Sequence, residues 1–145
     1  MPFLDPHLLP ELPLAFENDD HQAEARLLNE AIEAVEAYRD GRFSAEDVLQ
    51  RLDALRILER EHFAREEAAM RECGYPAYAV HRQEHERVLA DRRFEAERFR
   101  LGRGAGRLLT YLTETVPVWL LGHLQTMDLH AARFVAASAG GDART

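Results

Sequence analysis

Histidines and carboxylates in this 145-residue chain recur at the spacing of one helical turn, and this pattern limits the fold more than any other feature. His62 is followed four residues on by Glu66 and His81 by His85, while His123 is followed five residues on by Asp128 and His21 stands alone near the start. Residues four apart share a helix face, about 6 Å apart along the axis, so each such pair can aim two donors at one inward point. Asp128 is turned about 140° from His123 on a regular α-helix, so it is expected to reach the site sideways, as a carboxylate lying between two metals.

The rest of the chain supplies the helices. Asn18 reads as an N-cap, with Asp19 and Asp20 in the first turn, and Ala25, Leu28, Ile32 and Val35 carry an apolar face to about residue 39. Asp40-Gly41-Arg42-Phe43 ends that helix, and Ser44 with Asp47 resembles a capping box for a second one running to about residue 72. Cys73-Gly74-Tyr75-Pro76 is a stop signal, because glycine suits the left-handed position beyond a helix end and proline follows it often. A third helix spans roughly 77–101 and ends in Leu101-Gly102-Arg103-Gly104; Leu108, Leu112, Val116, Trp119 and Leu120 open a fourth that reaches about Ala137. Pro117 is expected to kink the fourth helix or to mark an irregular entry. Four long helices with short connections predict an all-α, up-down-up-down antiparallel four-helix bundle over residues 18–139, with a proline-rich arm before it at 1–17 and a frayed tail after it at 140–145.

In an antiparallel hairpin, residues equidistant from the turn lie at one height. His21 and His62 are centred on Gly41-Arg42; His62 with His85, and Glu66 with His81, on Cys73-Gly74; His85 with His123, and His81 with Asp128, on the glycine-rich third turn. The turns are assigned from glycine and proline chemistry alone, so their agreement with the donors is independent support. A single helical His-x-x-x-Glu is usually a surface pair. All seven donors in one slab, however, would leave the core ruinously polar unless metal neutralised it. Five imidazoles, two bridging carboxylates and one bridging oxygen fill all but one of the positions that two octahedral ions offer. Imidazole-rich sites suit iron, copper, zinc or nickel, so ligand type leaves the metal open.

The residues His62-Phe63-x-x-Glu66-Glu67-x-x-Met70, Tyr75-Pro76, His81-x-x-x-His85 and Trp119-Leu120-x-x-His123-x-x-x-x-Asp128 resemble those of the single-domain bacterial hemerythrins, from His21 to about Phe134. The resemblance implies two iron ions with a bridging oxo or hydroxo group: His81, His85 and His123 on one, His21 and His62 on the other, Glu66 and Asp128 bridging, and dioxygen bound at the two-histidine iron. It also implies that Trp119 and Leu120 line the oxygen pocket and that Asn29 and Phe63 pack or cap the site. His130 is expected beyond the ligand slab, His7 in a mobile arm, and Cys73 exposed at a helix end without a catalytic partner. The chain departs from the family at Asn18, where an aspartate is usual, in its proline-rich arm, and at Glu24, where the family has an aliphatic pocket residue. If Glu24 turns inward, it is expected to add a ligand at the open position or to carry protons there.

A net charge of −8, with every basic residue an arginine, argues against a nucleic-acid surface. The first residues carry no basic region of the secretory kind, and no apolar run approaches a membrane span, so a cytoplasmic protein is expected. The leading function is reversible dioxygen binding for carriage, storage or delivery to an oxygen-using enzyme, a binding role rather than an enzymatic one. The alternatives are a di-iron enzyme consuming peroxide or another small oxidant, which Glu24 would favour, and an oxygen or redox sensor. The oligomeric state is left open.

Overall fold

The structure, a computed structural model, describes residues 3–102 and 104–144, the stretch 140–144 by its backbone alone. Arg103 of the third turn, the first two residues of the arm, Thr145 and the side chains of the expected tail lie outside the described residues. All regular structure among the described residues is helical. Helix α1 is Ala15–Arg39, α2 is Ala45–Cys73, α3 is Tyr78–Arg100, and the fourth helix occupies 105–144.

Ser44 caps α2 with the expected reciprocal box: the Asp47 amide donates to the Ser44 hydroxyl at 3.2 Å and the Ser44 amide donates to the Asp47 carboxylate at 2.8 Å. Gly74 ends α2 in the left-handed conformation at φ 68°, where a side chain would be strained, and the Tyr75 amide closes the turn onto the Met70 carbonyl at 2.9 Å.

The start of α1 corrects the sequence reading. Its N-cap is Leu14, without a side-chain cap, and Asn18 lies inside the first turns. The Asn18 side chain accepts from the Leu12 amide at 2.7 Å and donates to the Leu12 carbonyl at 2.9 Å. Asn29 does the same to Leu4, at 2.8 and 2.7 Å. A primary amide carries a donor and an acceptor side by side, which is what the unpaired amide and carbonyl of one non-helical residue need. The two asparagines therefore fasten the arm to α1. Asn29 serves the arm rather than capping the site, and His7 sits exposed on a short 3-10 turn, Pro6–Leu8, between the two fastened residues.

The fourth helix is continuous through Pro117 because it widens before it. Tyr111–Thr115 forms a π-turn, with the Val116 amide donating to the Tyr111 carbonyl. Proline has no amide hydrogen and its ring collides with the carbonyl four residues back, so the wider turn makes room where a tight helix would kink. A second π-turn covers Leu124–Asp128.

α1 packs on α2 and α2 on α3, while the fourth helix contacts all three. Leu28, Ile32, Val35, Val48, Leu52, Leu55, Phe99, Leu108, Leu112 and Val116 form an apolar core at the end of the bundle nearest the first and third turns. Burying each large aliphatic side chain there is worth about 1.5–3 kcal/mol, and this half of the molecule carries the stability that lets the other half be polar.

Candidate metal centre

Beyond that core the inward faces turn polar, with the polar residues of each helix one or two turns apart. α1 buries Glu17, His21 and Glu24; α2 buries Glu59, His62 and Glu66; α3 buries His81, His85 and Arg92; the fourth helix buries His123 and Asp128. For the last pair the π-turn is decisive. It adds a residue to the turn between them, so side chains five apart come nearly into line, and His123 Nε2 lies 3.0 Å from Asp128 Oδ1. The expected sideways approach of Asp128 is thereby corrected.

The structure brings all seven expected donors together. His81, His85, His123 and Asp128 form one group whose donor atoms lie within 4.8 Å of one another, and His21, His62 and Asp128 form a second. His81 Nε2 and His123 Nε2 are 3.2 Å apart, and each is 3.0 Å from Asp128 Oδ1, while His21 Nε2 is 3.0 Å from Asp128 Oδ2. Glu66 stands between the groups, its Oε1 3.0 Å from His62 Nε2 and 3.5 Å from His85 Nε2.

These contacts do not satisfy the atoms involved. Nε2 of His62, Nε2 of His85 and both oxygens of Glu66 are buried with no hydrogen-bond partner. Each orphaned group costs about 1–3 kcal/mol in a protein interior. Four converging on one volume, among imidazoles and carboxylates, fit a site that metal completes. Burial first, then the Asp128 charge, pushes the Glu66 carboxyl well above the ordinary carboxylate range. Burial acts the same way on Asp128, but hydrogen bonds from His123, His21 and His81 outweigh it and hold that carboxylate well below the range. Burial, followed by neighbouring His81 and His123, lowers the His85 imidazole to about 2, which keeps it neutral and able to donate a lone pair.

Outer partners hold the rings in place, and sequence reasoning missed them. His62 Nδ1 is 2.9 Å from Asp20, which Arg65 grips through two hydrogen bonds of 2.9 and 2.8 Å. His85 Nδ1 is 2.9 Å from Glu67. Such partners set the tautomer and aim the other nitrogen. Phe63 stacks on His85 at 4.0 Å between ring centroids, and Trp119 stacks on His123 at 4.5 Å while donating to Glu84 at 2.8 Å. Leu120 is buried beside them, and His130 is exposed outside both groups.

Glu24 is 2 % exposed, so it does turn inward. Its carboxyl lies within hydrogen-bonding reach of Glu59, and burial, then the Glu59 charge, raises it well above the ordinary range. Glu59 is itself gripped by Arg92 at 2.9 to 3.3 Å, and Arg92 donates to the Tyr111 hydroxyl at 2.6 Å. Glu17, assigned by sequence to the arm, is equally buried, and burial raises it to about 7 against the lowering contact with Glu66. Its spacing to His21 repeats the helical-turn pattern of the other pairs and could have revealed it.

The profile of the family described as the hemerythrin HHE cation binding domain matches residues 12–135. A bacteriohemerythrin of Ralstonia nicotianae (strain ATCC BAA-1114 / GMI1000) is 34% identical over 125 residues, covering 86% of this chain and 82% of the relative. A bacteriohemerythrin of Aquifex aeolicus (strain VF5) is 26% identical over 113 residues, 78% of this chain and 82% of the relative. Two solved structures, one described as a leucine-to-phenylalanine mutant and one as a leucine-to-tyrosine mutant of hemerythrin, superpose with a TM-score of 0.74 at 21% identity, covering 86% of this chain and 89% of theirs. At that identity they establish the four-helix hemerythrin-like fold. With the family profile matching most of the chain, this protein belongs to the hemerythrin family.

Proposed function

We propose that this protein binds dioxygen reversibly at a pair of iron ions, serving carriage, storage or delivery to an oxygen-using enzyme in the cytoplasm. The observation that carries the reading is the place of Asp128 in both donor groups, one carboxylate oxygen toward each, with Glu66 between them on the other side. On this reading Asp128 and Glu66 would hold both ions, with His81, His85 and His123 holding one and His21 and His62 the other. When bound, the iron pair with its bridging oxo or hydroxo group supplies the redox chemistry that dioxygen binding requires.

The chain's own residues do the rest. Asp20 and Glu67 fix two of the imidazoles, while Phe63, Leu120 and Trp119 surround the site with apolar surface that keeps bulk water out. The up-down-up-down course is supported by rings meeting across the turns: His21 with His62, and His81 with His123, both at 4.9 Å. Among the described residues no helix is long and apolar enough to cross a membrane.

Glu24 favours a second reading, turnover of peroxide or another small oxidant, because a buried carboxyl that holds a proton is suited to general acid work. Cycling the reduced, iron-loaded protein between oxygen and argon while recording its visible spectrum separates the two. Repeated recovery of the oxygenated band supports reversible binding. Rapid irreversible oxidation with consumption of added peroxide supports the enzyme.

A further inference from the structure

Glu17 is the one buried carboxyl beside the centre to which neither the expected ligand set nor a neighbouring cation gives a role. It is 2 % exposed, and its Oε2 has no hydrogen-bond partner. Its carboxyl lies within hydrogen-bonding reach of Glu66, and Asp128, His21 and His81 are close enough to act on it electrostatically. Among the described residues no arginine pairs with it, in contrast to Glu59, which Arg92 neutralises one layer away. Three carboxylates, Glu17, Glu66 and Asp128, thus meet inside the protein around the same five imidazoles. Carboxyl groups confined in a low-dielectric interior must hold protons or meet a cation, and among the described residues none of the three pairs with an arginine, so a bound metal is the cation that would balance them.

The position of Glu17 on its helix points the same way. It precedes His21 by one turn, on the face that α1 turns toward the centre, so it stands to His21 as His81 stands to His85 and His62 to Glu66. With it, every helix contributes a pair. Two divalent ions bring four positive charges, of which Glu66 and Asp128 cancel two; Glu17 cancels a third in a site from which water is excluded. Together with one bridging oxygen, the seven donors also leave a single coordination position unfilled on an octahedral pair.

We propose that Glu17 is an eighth metal ligand, a terminal carboxylate on the ion held by His21 and His62, which closes the coordination position that the other seven and a bridging oxygen leave open. The proposal rests on the di-iron reading. Its consequence is that the resting centre is closed, and an incoming small ligand must displace Glu17 before it binds.

Cobalt(II) tests this without any turnover, since its visible absorption is weak when six-coordinate and markedly stronger at lower coordination number. Wild-type protein loaded with cobalt should hold two ions per chain, both with weak six-coordinate spectra. Glu17→Gln, checked for folding by circular dichroism, should still bind two, but one of them about 10- to 100-fold more weakly in chelator competition and with a stronger spectrum. Azide should perturb the variant at concentrations at least ten-fold below those needed for wild type. Two cobalt ions in both proteins with identical affinities, spectra and azide responses would overturn the role of Glu17 and leave the two-metal centre standing. Fewer than two ions in wild type would overturn both. Should the variant not fold, the wild-type spectrum alone decides: a strong lower-coordinate band on one of its two ions refutes closure by Glu17.

Discussion

In the metal-free protein, replacing Glu17 by glutamine should raise stability at neutral and alkaline pH, although the exchange removes a buried native side chain. In the metal-free fold, burial raises the Glu17 carboxyl from its ordinary 4.5 to about 7. The folded state therefore holds this proton more tightly than the unfolded chain does. Stability from such a group is fully present below the unfolded value and is lost as pH rises through the folded one, here between about pH 4.5 and pH 7. At about 1.4 kcal/mol per tenfold change in proton affinity, the loss reaches about 3 kcal/mol above neutrality. Glutamine keeps the shape and cannot ionise, so the Glu17→Gln protein escapes that loss. For a chain of this size 3 kcal/mol corresponds to roughly 6–12 °C in Tm. Thermal unfolding of chelated wild type and Glu17→Gln, followed by circular dichroism from pH 4.5 to pH 8, should give curves that converge at the acid end and separate by that amount at pH 8, the variant above. Comparing the two proteins at each pH removes the opposing effect of His85, which both share and whose lowered value destabilises the fold as pH falls below 6.5. Equal melting temperatures at pH 8, or a less stable variant there, would refute the burial argument.

Four further outcomes follow from named contacts. Asp20→Ala should weaken metal binding about 10- to 100-fold in chelator competition while leaving the helical signal unchanged, because His62 loses the partner that aims its ligating nitrogen. Arg92→Ala should lower stability by about 3–5 kcal/mol in urea unfolding, since it strands the Glu59 carboxylate in the core next to Glu24. His85→Ala should lose iron on gel filtration, whereas His130→Ala, at an exposed position, should retain it; equal iron in both would contradict the ligand assignment. Glu24→Leu should slow autoxidation of the iron-loaded protein and reduce any peroxide turnover in stopped-flow measurements, and unchanged rates would remove Glu24 from the chemistry.

Much of this molecule is written locally in its chain. The ends of α2 could be read from Ser44, Asp47 and Gly74 because a cap and a left-handed turn are made by residues a few positions apart. The slab of seven donors followed from helical spacing and the midpoints of three short turns, both one-dimensional quantities. Other features depend on what a residue meets from another part of the fold. Asn18 and Asn29 carry amides that serve a cap or a strand equally well, and only the arm lying along α1 determines that they bind Leu12 and Leu4. The spacing of His123 and Asp128 is five residues in any conformation, but it becomes one face only because the fourth helix widens into a π-turn, which replaces four-residue backbone bonds with five-residue ones. Glu17 falls in the arm by the sequence reading and Glu24 looks like a boundary acid, since a carboxylate near an apolar stripe normally faces water. Tertiary structure alone turned them inward, toward Glu66 and Asp128 in one case and toward Glu59 and Arg92 in the other, because the energy of a buried charge is set by partners tens of residues away rather than by its neighbours along the chain.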